Sequence, residues 1–178
     1  ADDKYVRHSE GSAVELKDGR LLLVWTEFTR GEGDSDFFPA RLVAKTSKDG
    51  GKNWGDYRVL AKPEKGEISA FSPNVLRLKD GRILFVYMRY TSFAKSKNKY
   101  PPAITVAMIS EDDGKSFTRL ATILTEQPIT VCSHSLKQLA SGRILIPLNR
   151  DLSKKGEPDH WEAGIAYSYD LGKTWKQS

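Results

Sequence analysis

The sequence predicts an all-β chain: a β-propeller with three four-stranded blades present, the last incomplete. Three observations predict it. A long-period internal repeat runs through the chain, short apolar runs alternate with turn residues, and no window carries helical periodicity of useful length. The repeat is plain in Leu16-Lys17-Asp18-Gly19-Arg20, Leu78-Lys79-Asp80-Gly81-Arg82 and Leu139-Ala140-Ser141-Gly142-Arg143, each followed by an apolar run. Its glycines lie 62 and 61 residues apart. A second element follows each copy after about thirty residues: Ser47-Lys48-Asp49-Gly50-Gly51-Lys52-Asn53-Trp54, then Ser110 to Phe117, then Ser168 to Trp175. The blade repeats span approximately 8–61, 68–124 and 130–178. One domain, or half of a propeller, accounts for all 178 residues.

Within the first repeat, Ser12–Leu16 reads as a strand and Asp18-Gly19 as a tight hairpin turn, where Gly supplies positive φ. Leu21–Trp25 is a continuous apolar run, as expected of a strand covered on both faces. Arg41–Thr46 leads into the Ser-x-Asp-x-Gly element, and Tyr57–Ala61 ends the blade before Pro63. The second repeat gives Val75–Leu78, Ile83–Tyr87, Ile104–Ile109 and Thr118–Leu124. In the third, only Lys176-Gln177-Ser178 follow Trp175, so its fourth strand is expected to be missing. Four-stranded units of this kind bury their faces by stacking on one another, and closed rings need about 4 to 8 of them. Three copies imply either part of a longer protein or identical chains that close a ring together.

Composition narrows the function classes. The 28 Lys+Arg and 23 Asp+Glu give a net charge of +5, mildly favouring anionic partners. The basic residues are spread along the chain, which argues against nucleic acid. Charged residues make up 29% of the chain and no apolar run approaches the roughly 18 residues of a membrane helix, so no membrane partner is expected. The opening Ala1-Asp2-Asp3-Lys4 lacks the pattern of a signal peptide. A single cysteine, Cys132, excludes an internal disulfide and a cysteine-rich zinc site; it reads as a small buried hydrophobe. No metal and no cofactor is expected.

The Ser-x-Asp-x-Gly-x-x-Trp element resembles the Asp box of the sialidase (neuraminidase) superfamily, also called the BNR repeat. The copies ending in Trp54 and Trp175 match fully, and the second carries Phe117 instead. The resemblance covers Ser12 to Trp175 and implies half of a six-bladed sialidase-like propeller. It also implies a secreted or periplasmic protein and a glycan, with a terminal acidic sugar, as ligand. The box residues Ser47, Asp49, Gly51 and Trp54, Ser110, Asp112, Gly114 and Phe117, and Ser168, Asp170, Gly172 and Trp175 read as structural. Short Asp and Ser side chains bond local backbone, Gly permits the turn, and the ring packs between blades.

Antiparallel order puts these turns on one side of the blades and the loops between second and third strands on the other. Those loops, Phe28–Pro39, Thr91–Pro102 and Asp151–Trp161, are long and polar, as functional loops on rigid scaffolds are. Seven residues beyond Arg20, Arg82 and Arg143 stand Glu27, Arg89 and Arg150, which are expected to meet at the mouth of the ring. Two guanidiniums there suit an anionic ligand. An inter-blade ion pair is the other reading of the same residues.

In sialidases an aspartate in the first blade's long loop transfers the proton and a tyrosine is the nucleophile. Asp36, eleven residues before Ser47, matches that placement, with Asp34 beside it and Arg30 in the same loop as an anion holder. The family's opening Arg-Ile-Pro motif, aligned on Gly19, falls at Ser9-Glu10-Gly11 and brings no arginine. Arg7 stands two residues early and takes that role only if the strand is bulged. The nucleophilic tyrosine and its glutamate come from later blades of the family, so none is assigned here, unless Tyr5 or Tyr90 reaches the centre. His134 and His160 are further candidates as acid/base groups, and Trp161 as a stacking platform for a sugar. The basic tip Lys95–Lys99 reads as a solvated loop.

Four functions follow. The first is a sialidase-like glycoside hydrolase, or a fragment of one, removing a terminal acidic sugar. The second is a non-catalytic carbohydrate-binding propeller. The third is a polysaccharide-cleaving propeller using His134 or His160. The fourth is a half-ring closing as a homodimer, the partner's Ala1–Arg7 segment completing the last blade.

Overall fold

A computed structural model describes residues 4–29, 36–92, 100–127, 129–131, 135–154 and 156–178. All regular structure among them is β. The first blade is β1 (Tyr5–Glu15), β2 (Leu21–Thr29), β3 (Ala40–Ser47) and β4 (Gly55–Ala61), hydrogen-bonded in that order. The second repeats the order with β5 (Ser69–Arg77), β6 (Ile83–Tyr90), β7 (Ala103–Ser110) and β8 (Thr118–Gln127). In the third, β9 (Ile129–Val131) and β10 (Lys137–Gln138) pair with the same strand, β11 (Ile144–Asp151), which is followed by β12 (Trp161–Ser168) and β13 (Lys176–Gln177). All pairings are antiparallel.

Two expectations change. The fourth strand of the last blade has begun: Lys176 and Gln177 pair with Tyr167 and Ala166. Tyr5 and Arg7 pair with Thr29 and Phe28 of their own blade, so these residues are already used as an inner strand. The strand is bulged. Its register shifts between Ser9 and Ser12, and β5 shifts likewise between Phe71 and Asn74. Glu10 (φ 57°) and Ser72 (φ 55°), one repeat apart, sit in the left-handed region at these bulges. An extra residue bends a strand and frees backbone groups from the ladder.

Hydrogen bonds at and beside these bulges tie neighbouring blades together. Ser72 N–H donates to Glu10 Oε2 (3.1 Å) and Val75 N–H to Ser12 Oγ (3.0 Å). Between the second and third blades, Ser72 Oγ donates to the Val131 carbonyl (3.0 Å) and Ser135 N–H to Asn74 Oδ1 (3.0 Å).

Two apolar cores lie between the blades. Leu22 and Val24 of β2 pack with Ile83 and Phe85 of β6 and with Phe117 in one. Leu84, Val86 and Met88 pack with Ile144, Ile146 and Leu148 of β11 and with Trp175 in the other. Every residue of β6 is therefore buried, as a strand covered on both faces must be. β2 departs from that expectation. Leu21, Leu23 and Trp25 are half-buried because they lie on the uncovered face of the first blade, where they alternate with buried neighbours.

The Ser-x-Asp turns close the far ends of the blades. In each, the Ser hydroxyl donates to the Asp two residues on (2.8 Å in all three) and accepts the N–H of the glycine four residues on (Gly51, Gly114, Gly172). Asn53 N–H and its side-chain amide hold Asp49 down to about 2, helped by Ser47. The Ser116 hydroxyl and N–H do so for Asp112, and Thr174 does so for Asp170 against an opposing effect of burial. Gly114 has φ 82°, and a Cβ there would stand 3.0 Å from Leu22 Cδ2 of the preceding blade, so the turn both needs glycine and docks by it.

Removing the buried Ser110 hydroxyl leaves the Gly114 N–H without its acceptor. Ser110→Ala is expected to destabilise the fold by about 1–3 kcal/mol in urea unfolding. Because all three aspartates titrate lower folded than unfolded, their stabilisation is present above pH 3.8 and is lost as the pH falls towards 2. Thermal midpoints measured across that window test this.

Candidate functional site

A cavity of about 560 Å³ opens at the end of the blades opposite the Ser-x-Asp turns. It is built by two kinds of segment. The inner strands bring Glu10 and Ser72 at their bulges and Thr130 and Val131 from β9, and the segments between second and third strands bring Asp36, Phe37 and Tyr100. Trp161, the first residue of β12, closes the far side. All three blades thus contribute.

Asp36 stands exposed at this cavity and pairs with Arg7, whose Nη2 donates to Oδ1 at 2.8 Å. The Arg7 guanidinium is also stacked 3.7 Å from the centre of the Phe28 ring, which fixes its plane. The bulge condition stated for Arg7 is met, since β1 carries the register shift two residues further on. Aromatic rings form a continuous wall. Phe71 stacks on Tyr90 (4.4 Å), Phe37 contacts Tyr90 (5.0 Å) and stacks on Tyr100 (5.5 Å), and Tyr100 meets Trp161 (5.5 Å). Centroid separations of 4.5–7 Å are those of attractive ring pairs. Burial pushes the Tyr90 phenol well up, and Asp36, Glu10 and Asp151 add to it, so it resists ionisation. The Tyr100 hydroxyl donates to Asp159 at 3.3 Å.

Burial raises the Glu10 carboxyl above its ordinary value of 4.5, against hydrogen bonds from Thr26 Oγ1 (2.7 Å) and Ser72 N–H, with Asp36 adding and Arg7 opposing. Glu10, Phe37 and Tyr100 were not singled out from sequence. The bulge that turns Glu10 inward leaves no periodic signal, and the two rings come from irregular segments.

No protein-family model matches the chain, and no curated protein does. Solved structures do. A protein of unknown function from Dyadobacter fermentans superposes with a TM-score of 0.71 at 20% identity, over 98% of this chain and 51% of that one. A Hadza microbial sialidase gives 0.72 at 17%, over 99% and 38%. The leech intramolecular trans-sialidase gives 0.70 at 14%, over 98% and 44%. The fold is that of a sialidase propeller. The chain spans about half the length of these structures, or less.

In this sialidase-like fold, Glu27, Arg89 and Arg150 occupy equivalent strand positions but do not meet. Each is held by different partners. Glu27 is buried and accepts from Arg41 Nε (3.0 Å) and the Tyr57 hydroxyl (2.8 Å), with His8 Nδ1 at 3.5 Å. Desolvation, then Glu27, push Tyr57 up to about 12. Arg89 is clamped between Glu64 and Glu67 of the segment joining the first two blades. Arg150 donates to the Ser178 carbonyl at 2.6 Å. His160 is exposed and uses its backbone, its N–H donating to Ser153 Oγ (2.8 Å). Tyr5 lies under Arg41, 3.7 Å from its guanidinium, on the uncovered face of the first blade. Arg30, Asp34, His134, Cys132 and Lys95–Lys99 fall outside the described residues.

Removing the Arg89 guanidinium leaves Glu67, only 10% exposed, without its cation. Arg89→Ala is expected to cost about 3–5 kcal/mol of stability in denaturant unfolding. Affinity for any ligand of the cavity, measured on the folded fraction, is expected to stay within twofold.

Proposed function

We propose that this chain carries the acid/base half of a sialidase-like glycoside hydrolase site, acting on a terminal acidic sugar of a glycan. The observation that carries the reading is the meeting of Asp36 and Arg7 at the rim of a cavity walled by aromatic rings. Asp36, an exposed carboxyl at this cavity, is the proton-transfer group at the glycosidic oxygen. Arg7 offers the fork of donors that a sugar carboxylate takes. Tyr100 and Trp161 receive the apolar face of a pyranose ring. Tyr90, whose phenol burial pushes well up, is unsuited to be a nucleophile. The nucleophile is thus assigned outside this cavity's described lining, to further blades of the same protein or to a second copy of the chain.

One observation favours a second reading, a carbohydrate-binding propeller without turnover. Arg7, the arginine beside the cavity, is already paired with Asp36.

Calorimetric titration with 3′-sialyllactose and with lactose separates the two. Arg7→Gln is expected to weaken sialyllactose binding about tenfold, the loss of roughly one charged hydrogen bond, and to leave lactose within twofold. Equal losses for both sugars would remove Arg7 from the site. Asp36→Asn is expected to keep sialyllactose binding and to abolish release of an aryl aglycone from its sialoside. Saturable binding with no aglycone release by the unaltered chain would establish the binding module instead.

A further inference from the structure

Glu10 presents its two carboxyl oxygens to different surroundings. Oε2 is turned to the protein and accepts two hydrogen bonds, from Thr26 Oγ1 at 2.7 Å and from Ser72 N–H at 3.1 Å. Oε1 has no hydrogen-bond partner among the described residues, and Glu10 lines the cavity together with Asp36 and Tyr90. The backbone holds this orientation through a left-handed φ of 57° at a non-glycine residue. Such conformations persist only where surrounding contacts over-determine them.

We infer that Glu10 is a second, ligand-facing acid of this cavity: its Oε1 carries a proton and donates it as a hydrogen bond to an oxygen of the bound sugar. This rests on the reading of the cavity as a sugar site. The stereochemistry follows from the two donors on Oε2. An oxygen that already accepts an N–H and an O–H is the carbonyl-like one, so a proton added to the group goes to the other oxygen. The cavity also disfavours the ionised form. Glu10 is largely buried, and the charged groups facing it are Asp36 from the segment after β2, which opposes a second negative charge, and Arg7 on its own strand, already paired with Asp36. Tyr90 faces it from β6 as a neutral phenol. From the third blade, Thr130, Val131, Asn149 and Trp161 bring no ionisable carboxyl or amine. Two carboxyl groups at one site tend to separate their roles, one ionised and one holding a proton.

The test pairs a direct titration with a binding profile. The Glu10 side-chain carboxyl is followed by carbon NMR in the full chain, assigned by its loss in Glu10→Gln. It is expected to titrate above the ordinary value of 4.5. Affinity for 3′-sialyllactose is expected to fall about tenfold as the pH rises through that titration, one hydrogen-bond donor being replaced by a negative charge. Glu10→Gln keeps a donor where the proton sat and an acceptor for Thr26 and Ser72. It is expected to hold the acid-pH affinity across the whole range. An ordinary titration of Glu10, or a Glu10→Gln variant that binds tenfold more weakly at acid pH, overturns the inference while leaving Asp36 and Arg7 in place. Failure of the unaltered chain to bind either sugar at any pH overturns the sugar-site reading itself, and the role of Glu10 with it.

Discussion

The contact between the inner strands of successive blades is the constraint from which the rest of the chain follows. A bulge in the inner strand of each of the first two blades releases backbone N–H groups from the sheet, and a buried N–H must find an acceptor elsewhere. Here the acceptors are side chains one repeat earlier: Glu10 for Ser72, Ser12 for Val75 and Asn74 for Ser135. The bonds fix the rotation of each blade on the next. That rotation decides which loops meet, and so where the cavity lies and which rings line it.

Much of the fold was legible because its signals are periodic and local. The Gly turns after Leu16, Leu78 and Leu139 and the Ser-x-Asp turns are short-range devices that mean the same thing in every copy. The burial pattern was half-legible. The sequence of β2 reads as a doubly covered strand, like that of β6, yet only β6 has a blade on each side. An apolar run reports a strand's capacity for burial, while the covering comes from its neighbours.

The site was read less well, for a physical reason that differs by residue. Asp36 could be placed by its distance from Ser47, since the strand between is regular. Arg7 could be placed only conditionally, since one extra residue in a strand exchanges its two faces. Glu27, Arg89 and Arg150 were assigned the correct common strand position, but a long side chain chooses among the partners within its reach. Glu64 and Glu67 lie in the connector between blades, where nothing in the spacing announces them. Charge and position alone thus favoured convergence at the mouth, whereas local pairing gave all three different partners.

The order of the strands carries a kinetic consequence. In the first two blades each sheet is made wholly from consecutive strands, with none exchanged between blades. A sheet of this kind closes its hydrogen bonds within about sixty residues of chain, so little loop entropy is spent before contacts form. Each blade can then assemble as it leaves the ribosome and offer its finished face as the template for the next. The inner-strand bonds impose a direction on that growth between the first two blades. Glu10 and Ser12 are in place before Ser72 and Val75 are made, so the earlier blade presents acceptors and the later one arrives with donors.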